Sequence, residues 1–144
     1  MCLGNICRSP TAEGVMRHLL AQRGLAGEVE VASAGTGSWH VGSPPDARSA
    51  EAAHRRGIVL DGAAQQVRPA DFAAYDLLVA MDRSNLTDLL ALAPDEAARA
   101  KVRLLLDDAD VPDPYYGGER GFDDVLDLVT AACERLVDEV AARR

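Results

Sequence analysis

Aromatic side chains are scarce, at 4% of the 144 residues and with a single tryptophan. A packed core therefore has to be built from Ala, Val and Leu, and the 48% hydrophobic content is enough to build one. Cysteine is also rare. Three residues, an odd number, exclude a disulfide-stapled scaffold and make a reducing cytoplasm the expected compartment. No apolar run approaches the ~20 residues of a membrane span. The opening residues lack the charged, apolar and cleavage regions of a secretory signal. Positive charge is in deficit, with 15 Lys and Arg against 23 Asp and Glu, a formal net charge of -8. An acidic surface argues against nucleic acid or an anionic membrane as partner. It leaves room for an anionic ligand, because one pocket can be positive while the whole is negative.

The chain has instead an alternation of helix-like and strand-like segments, without repeats or low-complexity linkers, over a length that suits one domain, residues 1–144. The spacing of Ala12, Val15, Met16, Leu19 and Leu20 predicts a helix over 10–22, ended by Gly24. A short strand is expected at 29–32, then a Gly-rich loop over 33–42, and a helix over about 46–56 behind Pro44 and Pro45. A further short strand is possible at 64–67. The apolar run 76–81 is the strongest strand signal. Ser84 reads as the cap of the helix that carries Leu86, Leu89 and Leu90. A short helical piece at 95–100 and a strand at 102–106 lead into a polar loop, 107–118. The last element is a long amphipathic helix over about 122–142, with a buried stripe through Val125, Leu126, Val129, Ala132, Cys133, Leu136, Val137 and Val140. This order implies an α/β domain around a parallel sheet, with ligands bound beyond the carboxyl ends of the strands.

The first ten residues carry the clearest chemistry. Cys2 and Arg8 bracket Leu3, Gly4, Asn5, Ile6 and Cys7, and Ser9 and Pro10 follow. Gly4 and Asn5 can take the positive φ of a tightly curled loop, which turns backbone N–H groups inward as an anion nest. Ser9 can cap the next helix with Pro10 at its first position, so the helix N-terminus points at the same place. Arg8 adds a planar fork suited to two phosphate oxygens. The same field favours a thiolate at Cys2, and hence a nucleophile.

The run CLGNICRSP resembles the signature of low-molecular-weight protein tyrosine phosphatases. The likeness extends along the chain through Ser33-Ala34-Gly35, Met81-Asp82 and Asp113-Pro114-Tyr115-Tyr116, and 35–42 is especially similar to actinobacterial members. The resemblance implies a four-stranded parallel sheet flanked by helices, with no metal and no cofactor. It implies Cys2 as nucleophile, Arg8 as phosphate clamp, Asn5 as the pin of the loop, Ser9 as support for the thiolate, and Asp113 as general acid. It also implies Trp39, Tyr115 and Tyr116 as walls of the substrate cleft, and Cys7 as the redox partner of Cys2. A phosphotyrosine protein is the implied substrate, with phosphate as the bound oxyanion and a monomer as the expected state.

Asp113 has local support as well. Pro112 and Pro114 stiffen its loop, and the loop follows a strand. Asp107, Asp108 and Asp110 are rivals that read as a solvated loop. Asp82 reads as structural, holding loops by hydrogen bonds. Cys133 reads as core. His40 is expected near the cleft without a catalytic part, and His18 and His54 on the surface.

Three other readings compete. An arsenate reductase on the same scaffold would need a relay of two further cysteines, which this chain lacks. A phosphocarrier would take a phosphoryl group on Cys2 and would need no general acid. The third is an inactive binding protein. In this architecture the nucleophile loop should follow a central strand, yet Cys2 is the second residue. The expectation is that the sequence as given is N-terminally incomplete, most simply through a start site placed too late. The 144-residue form would then be unstable and poorly active.

Overall fold

The structure, a computed structural model, describes residues 1–114 and 121–143. Its elements are α1 (Arg8–Gln22), α2 (Ala47–His54), α3 (Asp71–Ala74), β1 (Leu78–Ala80), α4 (Arg83–Leu92), α5 (Glu96–Arg99), β2 (Val102–Leu104) and α6 (Gly121–Ala142). β1 and β2 pair in parallel, with Leu78 opposite Val102 and Ala80 opposite Leu104. The architecture is α/β.

Residues of β1 alternate between two apolar clusters, as the period of a strand requires. Leu78 and Ala80 join Phe72, Leu89 and Ala98 on one face. Val79 and Met81 face the other cluster, built by α1, α2 and α6 around Val15, Leu20, Leu126, Val129 and Val137. The stripe expected on α6 is buried from Val125 to Val137, with Val140 partly buried at its end.

Several expectations are corrected. No strand forms at 29–32 or at 64–67; only isolated parallel bridges join Cys2 to Gly35 and Gly35 to Gln66. The helix expected from residue 10 starts at Arg8, and Cys7 occupies its cap without a side-chain cap bond. Ser9 cannot cap it, because its hydroxyl lies against Cys2 Sγ and the Asn5 amide. Pro10 falls third in the helix, still in the first turn, where an N–H has no intrahelical partner. Ser84 does not cap α4 either. Asp82 does, its Oδ1 accepting from Asn85 N at 2.7 Å.

The bridges show why 29–32 stays extended without a ladder. Met1 and Cys2 lie between two backbones. The Met1 ammonium donates to Val79 O at 2.7 Å, and Met81 N to Met1 O at 2.9 Å. On the other side, Thr36 N donates to Cys2 O at 2.9 Å. Behind Met1, the segment 28–34 and the segment 76–79 diverge around a cavity of about 810 Å³, roofed by Met16, Leu136 and Val140. Met1 itself lines this cavity. Burial lowers the pKa of the Met1 ammonium to about 6.

Two outcomes follow for the 144-residue chain. A terminal amine whose folded pKa lies below its unfolded value of about 8 binds fewer protons folded than unfolded between the two values. Its destabilising effect is full below pH ~6 and gone above pH ~8, so stability should rise with pH across that window. Fusing about five apolar, β-branched residues ahead of Met1, a typical strand length, should fill the cavity and abolish that pH dependence. Tm should rise by about 2–4 °C per kcal/mol gained. Differential scanning calorimetry across pH checks both, and an unchanged Tm would show that the cavity is not a strand site.

Candidate active site

The loop from Cys2 to Ser9 is held open by what surrounds it. Its carbonyls turn outward: Cys2 O accepts from Thr36, Leu3 O from Gly37, Ile6 O from Asp46 and Cys7 O from Thr11. In a trans peptide the next N–H points the opposite way. The amides of Leu3, Gly4, Cys7 and Arg8 therefore face the inside of the loop, where Asn5 N already reaches Cys2 Sγ at 3.3 Å. Asn5 alone supplies the left-handed turn, at φ 57°. Gly4 has an ordinary φ, and its missing side chain serves a different purpose. A Cβ there would come within 2.8 Å of the His40 ring.

Cys2 is buried and accepts or donates a hydrogen bond with Ser9 Oγ at 3.0 Å. It lies beside the N-terminus of α1, a 15-residue helix whose partial positive charge favours an anion there. Arg8 is buried too. Its Nη1 donates to Asp82 Oδ2 at 2.6 Å and to Val111 O at 3.0 Å. Its Nη2 lies 3.9 Å from Asp113 Oδ2. One edge of the guanidinium is thus fixed to the scaffold, and the other faces the opening.

Cys2, Leu3, Gly4, Ile6, Cys7, Arg8, Trp39, His40 and Asp113 together line a cleft of about 310 Å³. The expected nucleophile, phosphate clamp, general acid and indole wall all open onto this one space, while Asn5 and Ser9 stand behind it. The larger cavity behind Met1 lies on the far side of the loop and gathers no comparable set. Trp39 is 74% exposed, and its ring lies over the backbone of Gly37, where a Cβ would come within 2.0 Å of it. Tyr115 and Tyr116 lie outside the described residues.

The other thiols differ from Cys2 in their surroundings. Burial, with Asp46 adding to it, pushes the Cys7 pKa up to about 12. Burial alone does the same for Cys133, whose Sγ lies in α6 at 3.9 Å from Ala12 O. Both are held as thiols. Among the described residues, no group of three or more His, Cys, Asp or Glu is arranged to hold a metal ion.

Sequence reasoning understated Asp82. Read as a residue that holds loops, it also holds Arg8 directly: one oxygen caps α4 and the other bonds the guanidinium. The signal was its place just after the apolar run of β1, where ligand-facing loops begin. Glu13 and Gln65 escaped notice altogether, and Ser33 was seen only as part of a motif without a role, although their side chains or backbone reach the loop through Asn5. No local pattern marks them, because each meets the loop only in three dimensions.

The family model for low molecular weight phosphotyrosine protein phosphatases matches residues 1–144. A low molecular weight protein-tyrosine-phosphatase of Streptomyces coelicolor is 46% identical over 148 aligned positions, covering 97% of this chain and 90% of the relative. A protein tyrosine phosphatase from Entamoeba histolytica, solved with Hepes in the active site, superposes with a TM-score of 0.94. It is 39% identical, with 98% of this chain and 94% of that one covered. Vibrio vulnificus Wzb, solved in complex with benzylphosphonate, superposes with a TM-score of 0.84 at 32% identity, covering 96% and 94%. With the family model matched along the chain and the curled cysteine loop facing Asp113 across one cleft, this protein belongs to the low molecular weight phosphotyrosine protein phosphatases.

Proposed function

We propose that the cleft hydrolyses phosphotyrosine in proteins through a phosphocysteine intermediate. The observation that carries this reading is the convergence of Cys2, Arg8 and Asp113 on one space bounded by Trp39. The Cys2 thiolate attacks phosphorus in line, and the S–P bond forms as the P–O bond to the phenol breaks. Asp113 gives its proton to the departing oxygen. The inward amides and Arg8 hold the three equatorial oxygens, so positioning and charge stabilisation supply most of the acceleration. Water then attacks the phosphocysteine, Asp113 takes its proton, and the thiolate leaves with support from the Ser9 hydroxyl. Trp39 offers a flat wall to an aryl leaving group. Benzylphosphonate, bound by the Vibrio relative, has the same pairing of aromatic ring and tetrahedral oxyanion.

The arsenate reductase reading is disfavoured by Cys133, which is packed inside α6 rather than placed for a relay. The phosphocarrier reading leaves the approach of Asp113 to Arg8 without a purpose. Three free thiols fit work in a reducing cytoplasm, as a monomer on soluble phosphoproteins. Under peroxide, the Cys2 thiolate becomes a sulfenic acid, and the Cys7 thiol condenses with it, releasing water and leaving a disulfide that external thiols reduce.

Steady turnover of p-nitrophenyl phosphate is the deciding assay, because a carrier would release one burst and stop. Cys2→Ser should abolish turnover and keep vanadate binding. Cys7→Ser should keep substantial activity but lose its recovery by thiols after peroxide; the reverse ranking would overturn both assignments. Asp113→Asn should slow aryl phosphates with poor leaving groups by about 10²–10⁴-fold and good ones far less. An equal loss along the leaving-group series would make Asp113 structural. Asp82→Ala leaves the buried Arg8 charge without its partner, at a cost of about 3–5 kcal/mol. It should lower Tm and raise KM together, whereas a drop in Tm alone would show that Arg8 holds its place unaided.

A further inference from the structure

A third cavity, about 230 Å³, is lined by Asn5, Glu13, Arg17, Ser33 and Gln65 among others. From it a line of hydrogen bonds runs to the nucleophile. Glu13 Oε1 accepts from Ser33 Oγ at 2.6 Å. Asn5 Nδ2 donates to Ser33 Oγ at 2.9 Å and to Ser9 Oγ at 2.8 Å. Ser9 Oγ lies 3.0 Å from Cys2 Sγ.

The direction of this line is fixed at both ends of the Asn5 amide. Gln65 N donates to Asn5 Oδ1 at 3.0 Å, so the amide oxygen is assigned and Nδ2 must face the serines. An amide nitrogen has two hydrogens, and each serine hydroxyl has one proton to give. Both serines receive a hydrogen from Asn5, so each must point its own proton elsewhere. Ser33 points to Glu13, and Ser9 is left to point at Cys2. A carboxylate only accepts, so Glu13 ends the line as the fixed acceptor of the Ser33 proton, as Gln65 N fixes the Asn5 amide. Arg17 Nη2 lies 3.0 Å from Glu13 Oε2, an ion pair one turn along α1.

We propose that Glu13 is a positioning residue for the Cys2 nucleophile, acting through Ser33, Asn5 and Ser9. It does not line the cleft and touches no reacting atom. Its effect is to anchor the Asn5 amide, and with it the left-handed turn at φ 57° that curls the loop. Without the Glu13 acceptor, the Ser33 hydroxyl loses its fixed orientation and Asn5 Nδ2 loses a defined acceptor, so Gln65 N and Ser9 alone hold the amide and the Ser9 contact to sulfur is less firmly placed. The other titratable or charged groups in reach include Arg17, Asp61 and the Tyr75 phenol near Glu13, and Arg8, Asp46, Asp82, Asp113 and the Met1 ammonium around Cys2 and its loop. Substitution at Glu13 removes a contact from Arg17 alone among them.

The proposal rests on Cys2 being the nucleophile, and the experiment separates the two. Alkylation of Cys2 by iodoacetamide, followed by mass spectrometry from mildly acidic to alkaline pH, is compared in wild type, Glu13→Gln, Glu13→Ala, Ser33→Ala and the double alanine variant. Steady-state kinetics on p-nitrophenyl phosphate accompany it. Glu13→Ala should slow alkylation about 3–10-fold at neutral pH, the range one hydrogen bond is worth, and match wild type at alkaline pH. kcat should fall in proportion, with KM nearly unchanged. Glu13→Gln keeps the shape and an accepting oxygen and should lose about 2-fold, which also decides the matter should the alanine variant fold poorly. The double variant should be no slower than Ser33→Ala alone, because both substitutions cut the same line. A wild-type alkylation profile in Glu13→Ala and Glu13→Gln, or losses that add in the double variant, would overturn the proposal. If wild-type Cys2 reacts no faster than an ordinary thiol, the nucleophile assignment falls and this proposal falls with it.

Discussion

The bond between Arg8 Nη1 and Asp82 Oδ2, 2.6 Å long, joins positions 74 residues apart in the chain. It ties the start of α1 to the end of β1, and the same nitrogen reaches Val111 O in the loop that carries Asp113. Three segments that share no sequence neighbourhood are held in register by one guanidinium. A buried cation with its partner removed is strongly unfavourable, so the three segments either assemble together or leave a desolvated charge behind. The relative placement of nucleophile loop and general acid therefore depends on a pair of side chains that do no chemistry between themselves.

The chain carries a formal charge of -8, yet its cleft is shaped for an anion. The two facts are reconciled by what supplies the positive field. Beside Arg8, it comes from peptide N–H groups turned inward and from the end of α1, neither of which enters a count of charged residues. The acidic side chains take up supporting positions around it: Asp82 behind Arg8, Glu13 behind Asn5, and Asp46 capping α2 next to Cys7. Negative charge here serves to fix the donors in place.

Much of the site could be read from the sequence because it is local. Cys2 to Ser9 form one turn, and the cysteine, arginine and serine fall within eight residues. Asp113 was marked out by the resemblance at 113–116, with the two flanking prolines and the preceding strand as local support. The long α6 declared itself by its stripe, and its boundaries moved by a residue at most. What could not be read was tertiary. The segment 29–32 has strand-like residues, but a ladder needs a neighbour, and its neighbour on one side is a cavity. Ser9 and Ser84 are both good capping residues. The first is diverted by a thiol and an amide brought from elsewhere in the loop, and the second is displaced by Asp82 two residues earlier. The line from Glu13 to Cys2 crosses from α1 to the loop at Ser33 and back, which no window along the chain can display.

The scarcity of aromatic residues has a practical consequence at the cleft. Trp39 is the only tryptophan, it lines the cleft, and it stands mostly in solvent. Its intrinsic fluorescence, excited at wavelengths where tyrosine does not absorb, comes from the cleft alone. An aryl group resting against that indole would change its polarity and its access to collisional quenchers. Occupancy of the site can thus be followed by emission in the native protein, without a label and without turnover.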